Sequence, residues 1–309
     1  MDTREHDVMI NGSFDRSQES VGLPSEMGLF QHLILKDSNQ DAKAGGSGEM
    51  LIPFAFEETL CRDVGAGRVP PCLHLWSHSG GVALGLRDSK LPYAAQAMAK
   101  LEQQGIRTAV RHSGGAAVPL DNGIVNVSLL LPKGRGKLDF HDDFKLLASL
   151  ITEAVAISHP QAAAQIKAGE IVGSYCPGDF DLAIGGRKFC GIAQRRQNNA
   201  YFVHAFVVVS GSGQGRGELI HDFYDQASGG DRALSYPRVR PETIAGLGEL
   251  GGPDATEEFA KGIRQALARR GVVLKSSDRL QQELGYFLDY EDPRVLDAAR
   301  VLQERYSQG

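Results

Sequence analysis

The chain has 309 residues, 42% hydrophobic and 23% charged, and its 33 Lys and Arg stand against 38 Asp and Glu for a formal net charge of −5. This is the composition of a globular protein with a sizeable core. Its slightly acidic balance argues against a general attraction to nucleic acid or anionic lipid.

Residues 1–48 are polar and rich in Ser, Asp, Gln and Gly, and read as a loosely ordered arm in which only "MGLFQHLILKD" suggests a short strand or helix. The opening twenty residues lack the apolar core of a secretory leader. No apolar run approaches the roughly 20 residues of a membrane span. The expected location is therefore cytoplasmic, with no membrane partner.

From Leu51 the pattern changes. "LIPFAFEETLCRDVG" has apolar residues at helical spacing and stops at Gly65, whereas "CLHLWSH" alternates as a strand does. "PYAAQAMAKLEQQG" reads as a helix between Pro92 and Gly105. Two strands, "IRTAVRH" and "GIVNVSLLLP", flank the loop "SGGAA", and "DFHDDFKLLASLITEAVAI" is a long amphipathic helix. Three strands follow, "FDLAIGG", "RKFCGIAQRR" and "YFVHAFVVV", the first two joined by a Gly185-Gly186 hairpin turn. Beyond Gly217 the chain reads as helical: "ELIHDFYDQA", "PETIAGLGEL", "TEEFAKGIRQALARRG", "SDRLQQELGYFL" and "PRVLDAARVLQERY". The expected fold class is α+β, a mixed or antiparallel sheet flanked by helices with a helical C-terminal end.

The chemistry-bearing motifs are few. There is no P-loop. "SGSGQGRG" at 210–217 lies between a strand and a helix; an anion site at the helix start is conceivable, but a flexible connection is the simpler reading. His74 and His78 share a strand without ligand geometry, so no metal is expected. The four cysteines form no C-x-x-C pair. Cys61 and Cys190 sit in apolar helix and strand patterns and read as core. Cys176 differs: "SYCPG" is a turn, Pro177 follows it, and Gly173 and Gly178 allow tight turns. Cys176 is thus either an exposed turn thiol or a nucleophile, and Lys188, beside the hairpin turn, is the cation able to fold back over its loop. Gly114 and Gly115 in "RHSGGAAVPLDNGIVNVSL" either bulge between strands or present N–H groups to a carbonyl.

These blocks together resemble the biotin/lipoate protein ligase superfamily. "RHSGGAAVPLDNGIVNVSL" is similar to its Arg, Gly-Gly and Asp-x-Gly block, and "GGRKFCGIAQRR" to its lysine strand. "GSYCPGDFDLAIGGRKFCGIAQRR" closely resembles the octanoyl/lipoyl amidotransferase branch. "FEETLC", "LWSHSGGVALGLRDSKLP" and "YPRVRPETIAGLGEL" match further pieces. The resemblance implies an acyltransferase catalytic domain over 49–275, with C-terminal helices over 276–309 packed on it. It implies transfer of an octanoyl or lipoyl group from a lysine of the glycine cleavage H protein to a lysine on lipoyl domains of 2-oxo-acid dehydrogenase subunits. No cofactor, metal or nucleic acid is implied. Carried over by position, Cys176 is the nucleophile, and Lys188 favours its thiolate and contacts the acyl carbonyl. Arg111, Gly114 and Gly115 line the acyl pocket, and Cys190 is inert. His78, His112 and His204 are all candidates to protonate the leaving amine.

Three alternatives stand beside this reading. One is an ATP-dependent lipoate–protein ligase that has no need of Cys176. Another is an octanoyltransferase drawing on acyl carrier protein. The third is a non-catalytic lipoyl-binding module, against which the joint presence of Cys176 and Lys188 speaks.

Overall fold

The computed structural model describes residues 23–34, 47–111, 114–134 and 140–306. In chain order these form β1 (Glu26–His32), α1 (Ser47–Gly65), β2 (Cys72–Trp76), β3 (Gly81–Leu84), α2 (Ala94–Gln103), β4 (Thr108–Val110), β5 (Val118–Leu120), β6 (Ile124–Pro132), α3 (Phe140–Ser158) and α4 (Pro160–Ala163). There follow β7 (Lys167–Ala168), β8 (Leu182–Ile184), β9 (Arg187–Arg196), β10 (Ala200–Val208), α5 (Gly213–Ser228), α6 (Thr256–Arg269), β11 (Val273–Ser276), α7 (Ser277–Leu284) and α8 (Pro293–Tyr306).

Eight strands make one mixed sheet in the order β11-β1-β2-β6-β10-β9-β8-β7, and β4-β3-β5 make a small second sheet. β1 runs parallel to β2 and β11, while the strands from β2 to β7 pair antiparallel. The central strands read as continuous apolar runs because both faces are covered. One face, with Cys72, Trp76, Leu130, Phe202 and Phe206, packs under α1 and joins one core. The other, with Leu73, Leu75, Val127, Leu129, Val203 and Val207, packs under α3 and α6 and joins a second. The α+β expectation, a mixed sheet flanked by helices with a helical end, is what the chain forms.

The Gly185-Gly186 turn has both residues at positive φ, 59° and 77°, the geometry that matches the twist of a two-residue hairpin. Within 1–48, residues 1–22 and 35–46 lie outside the described residues; the short strand or helix suggested by "MGLFQHLILKD" is the strand Glu26–His32, which lies between β2 and β11. Other local expectations differ from the fold. The glycine-rich 210–217 segment is no flexible connection, because Gly213 to Gly217 form the first turn of α5. Gly213 and Gly217 lack the Cβ that would strike Ala245 and Pro241, so the helix start packs directly on the 241–245 segment. Its end takes no outside anion: the Glu249 carboxylate accepts from the Gly213 N–H at 2.8 Å and the Ser212 hydroxyl from that of Gly215 at 3.0 Å. "PETIAGLGEL" is two 3₁₀ turns around an extended piece, where Ile244 bridges Lys188 and the Ala245 N–H donates to the Lys188 carbonyl at 3.0 Å.

α8 packs on α1. The tie is the buried Asp63 carboxylate, which accepts from Tyr286 at 2.7 Å, from Arg294 at 3.0 Å and from Arg68. No helix among the described residues is long and apolar enough to cross a membrane.

Candidate active site

Cys176 lies in the turn between β7 and β8 and is half-buried. Among the described residues it alone, glycines apart, has a positive φ, 45°. Such strain persists only where neighbours over-determine the backbone, and they do here. Lys188 on β9, 1% exposed, reaches under the turn. Its ammonium donates to the carbonyls of Tyr175 at 3.0 Å and Cys176 at 2.7 Å and pairs with Asp181 at 2.8 Å. All three ammonium hydrogens are thereby engaged. Asp181 in turn accepts from the Gly178 N–H at 3.2 Å, and Arg240 donates to the Val172 carbonyl at 2.7 Å. The expectation that Lys188 folds back over the Cys176 loop is met, but its contacts are the backbone oxygens of the loop.

The sulfur faces the other block. The Ala116 N–H donates to Cys176 Sγ at 3.2 Å, and Arg111 Nη2 approaches it at 3.8 Å. Arg111, 4% exposed, also donates to the carbonyls of Ala116 at 2.7 Å and Gly114, folding residues 114–116 around its guanidinium. Gly115 sits at φ 98°, and a Cβ there would lie 2.7 Å from both Cys176 Sγ and Arg111 Nη2. The loop is fixed from behind: the Ala117 N–H donates to the Tyr224 hydroxyl at 3.1 Å, which donates to the buried Asp88 at 2.9 Å.

Cys176, Arg111, Gly114 and Gly115 all line one cavity of about 300 Å³. Its walls are mostly apolar, with Phe54 from α1, Val118 and Leu120 from β5 and Phe206 from β10. Space exists because the facing positions of β9 are Gly191 and Ala193, whose partners across the ladder are Phe206 and His204. Lys188 lies beneath this cavity, its ammonium 5.4 Å from the centre of the Phe206 ring. His204 is in the wall; His78 is not, and its Nδ1 accepts from the Gly80 N–H at 3.1 Å. Burial beside Arg107 lowers the His78 pKa to about 4. His112 lies outside the described residues.

The other cysteines are core. Burial pushes the Cys190 thiol well above its usual range and the Cys61 thiol up to about 12. His74 is no ligand, since its Nδ1 donates to Glu57 at 3.1 Å and its Nε2 meets His32 Nδ1 at 3.1 Å. Among the described residues no group of three or more His, Cys, Asp or Glu is placed to hold a metal ion.

Asp181, Ala116 and the Asp88–Tyr224 pair were not singled out in the sequence. "CPGDFD" does offer a carboxylate just before the strand that pairs with Lys188; Ala116 acts through its backbone and leaves no residue-type signal. Burial pushes the Asp181 carboxyl up to about 6, with Lys188 pulling the other way. In an unfolded chain the same group titrates near about 3.9. Between these values the folded protein holds a proton that the unfolded chain has released, so this residue's contribution to stability falls as pH rises through the window, by at most about 1.4 kcal/mol per pH unit. Unfolding free energies from urea titrations at pH 4 to 7 are expected to fall more steeply with pH in the wild type than in Asp181→Asn. An unchanged slope in the variant would refute the assignment.

Comparison with known proteins shows the family. Residues 49–272 match the family described as the lipoyl protein ligase A/B catalytic domain. A protein of Anoxybacillus flavithermus named octanoyl-[GcvH]:protein N-octanoyltransferase is 43% identical over 198 residues, 64% of this chain and 70% of that protein. One of the same name from Geobacillus kaustophilus is 38% identical over 239 residues, 77% of this chain and 83% of its own length. The crystal structure of lipoate-protein ligase A bound with ATP superposes with a TM-score of 0.61 at 17% identity, covering 91% of this chain and 96% of that one, a likeness of fold. The chain belongs to the lipoyl protein ligase A/B catalytic domain family.

Proposed function

We propose that this chain is a protein N-octanoyltransferase working through a thioester on Cys176. It takes an octanoyl or lipoyl group from a lysine of the glycine cleavage H protein and passes it to a lysine on a lipoyl domain of a 2-oxo-acid dehydrogenase subunit, in the cytoplasm. The catalytic unit is residues 49–275, with 276–309 packed on it. The relatives named for octanoyl transfer from GcvH support the donor. The observation that carries the chemistry is a strained turn cysteine that lines an apolar cavity and whose sulfur meets a backbone N–H.

The acyl chain lies in the cavity, where burying each CH₂ is worth about 0.8 kcal/mol. Sulfur attacks the amide carbonyl, and the Ala116 N–H and Arg111, already at the sulfur, stabilise the oxyanion beside it. Lys188 holds the Cys176 carbonyl and with it the attack geometry. The donor amine leaves, and the acceptor lysine then attacks the thioester. The first half is uphill, because an amide is more stable than a thioester, and the second is downhill. One amide is exchanged for another, and no ATP is consumed.

The test is an ATP-free mixture of enzyme, octanoylated H protein and apo lipoyl domain. Acyl transfer to the lipoyl domain is expected, with octanoyl acyl carrier protein a much poorer donor. Transfer that requires ATP and free acid would replace this reading with the ligase, and preference for the carrier protein would replace the donor.

A further inference from the structure

An amide nitrogen departs only as a neutral amine, so it must gain a proton, and the attacking thiol must lose one. The cavity wall limits what can carry it. Among the described residues its ionisable side chains are Arg111, Cys176 and His204. A guanidinium does not release its proton. Lys188 lies beneath, with its three hydrogens on Tyr175 O, Cys176 O and Asp181.

His204 is set for the task by the sheet. On β10 it stands across from Ala193 of β9, whose small side chain leaves the imidazole facing the cavity. On its other side it pairs with Ser128 of β6, and Ser128 pairs with His74 of β2, so one polar row crosses three strands. α1 lays Glu57, 1% exposed, over that row. The Glu57 carboxylate accepts from Ser128 at 2.5 Å, Trp76 at 2.9 Å and His74 at 3.1 Å. Burial works to raise its pKa, but the hydrogen bond and charge of His74, the charge of His204 and the Ser128 hydroxyl prevail and hold it below the usual range.

Resting on the amidotransferase reading, we infer that His204 is the acid–base residue that carries the proton between the Cys176 sulfur and the lysine nitrogen. As the S–C bond forms, the thiol proton passes to His204 and the carbonyl π pair moves to oxygen. As the C–N bond breaks, His204 delivers that proton to nitrogen and the neutral amine leaves. In the second half the acceptor amine gives its proton to His204 while attacking the thioester, and His204 returns it to sulfur. No proton or electron is gained or lost over the cycle.

A change of leaving group tests this. The full chain and its His204→Gln and His204→Asn variants are acylated under single-turnover conditions, and the adduct is followed by intact mass. One donor is the octanoylated H protein; the other is p-nitrophenyl octanoate, whose phenolate leaves without a proton. Acylation from the protein amide is expected to fall at least about a hundredfold in the variants, and acylation from the ester, which needs His204 for the thiol proton alone, to fall at least about tenfold less. Equal slowing with both donors, or slowing with neither, overturns the inference. The ester reaction reports that each variant is folded with a working thiol, and whichever folds is read. A wild type that accepts octanoyl from the ester but not from the H protein defeats the donor assignment instead. The inference is then read from the reverse half, as a slower attack of the lipoyl-domain lysine on the ester-loaded thioester in the variants; an unchanged rate there overturns it.

Discussion

Replacing Lys188 with Met is expected to destabilise the protein by about 3–5 kcal/mol, because it strands the Asp181 carboxylate, itself 1% exposed, without its counter-charge. Two carbonyls of the nucleophile turn lose their donor in the same stroke. Removing both charges, as Lys188→Met with Asp181→Leu, is expected to regain most of the loss, since a buried pair replaced by apolar groups costs little. Transfer is expected to fall about a hundredfold or more in both variants, because neither holds Cys176 at its strained φ. Urea unfolding paired with a transfer assay separates the two effects. A double variant that is stable and fully active would show that the lysine serves the fold alone.

Gly115→Ala acts on the other wall. An L-residue in the left-handed region costs about 1–2 kcal/mol. The new Cβ would also stand 2.7 Å from both Cys176 Sγ and Arg111 Nη2, so sulfur, guanidinium or loop must move. The loop is held by Arg111 and by Tyr224 through Ala117, so the cheapest displacement is of the reacting groups themselves. A displacement of about 1 Å is enough for a hundredfold loss of rate. Expected is a folded protein with a modestly lowered Tm and at least that loss in kcat. Gly114→Ala, where a Cβ meets nothing within 4 Å, is the control and is expected to stay within a few-fold of wild type. Similar rates for the two variants would show that the contact at the sulfur is without consequence.

What the sequence made legible was local. β9 and β10 matched their apolar segments because alternation and the Gly185-Gly186 turn act over a few residues. α1, α3, α6 and α8 were equally plain from spacing and stops. β1 was legible only as a short apolar patch, strand or helix, because its seven residues are fixed as a strand by pairing with β2 and with β11, far away in the chain. The 210–217 glycines signalled flexibility, yet they serve close packing against Ala245 and Pro241, which no local rule encodes. In the site, Cys176 and Lys188 stood out by residue type and motif. A hydrogen-bond donor to the sulfur, the Ala116 N–H, did not, because every residue but proline carries one. Asp181 became visible only once the pairing of β8 with β9 set it against Lys188.

The central claim is that the acyl group rests on Cys176 between donor and acceptor. The most direct measurement is the intact mass of the full chain after mixing with octanoylated H protein in the absence of ATP, with Cys176→Ala alongside. The account predicts an octanoyl adduct on the wild type, faint because the thioester lies uphill of the amide, that apo lipoyl domain discharges. It predicts neither adduct nor transfer with Cys176→Ala. Transfer at the normal rate by Cys176→Ala would contradict it.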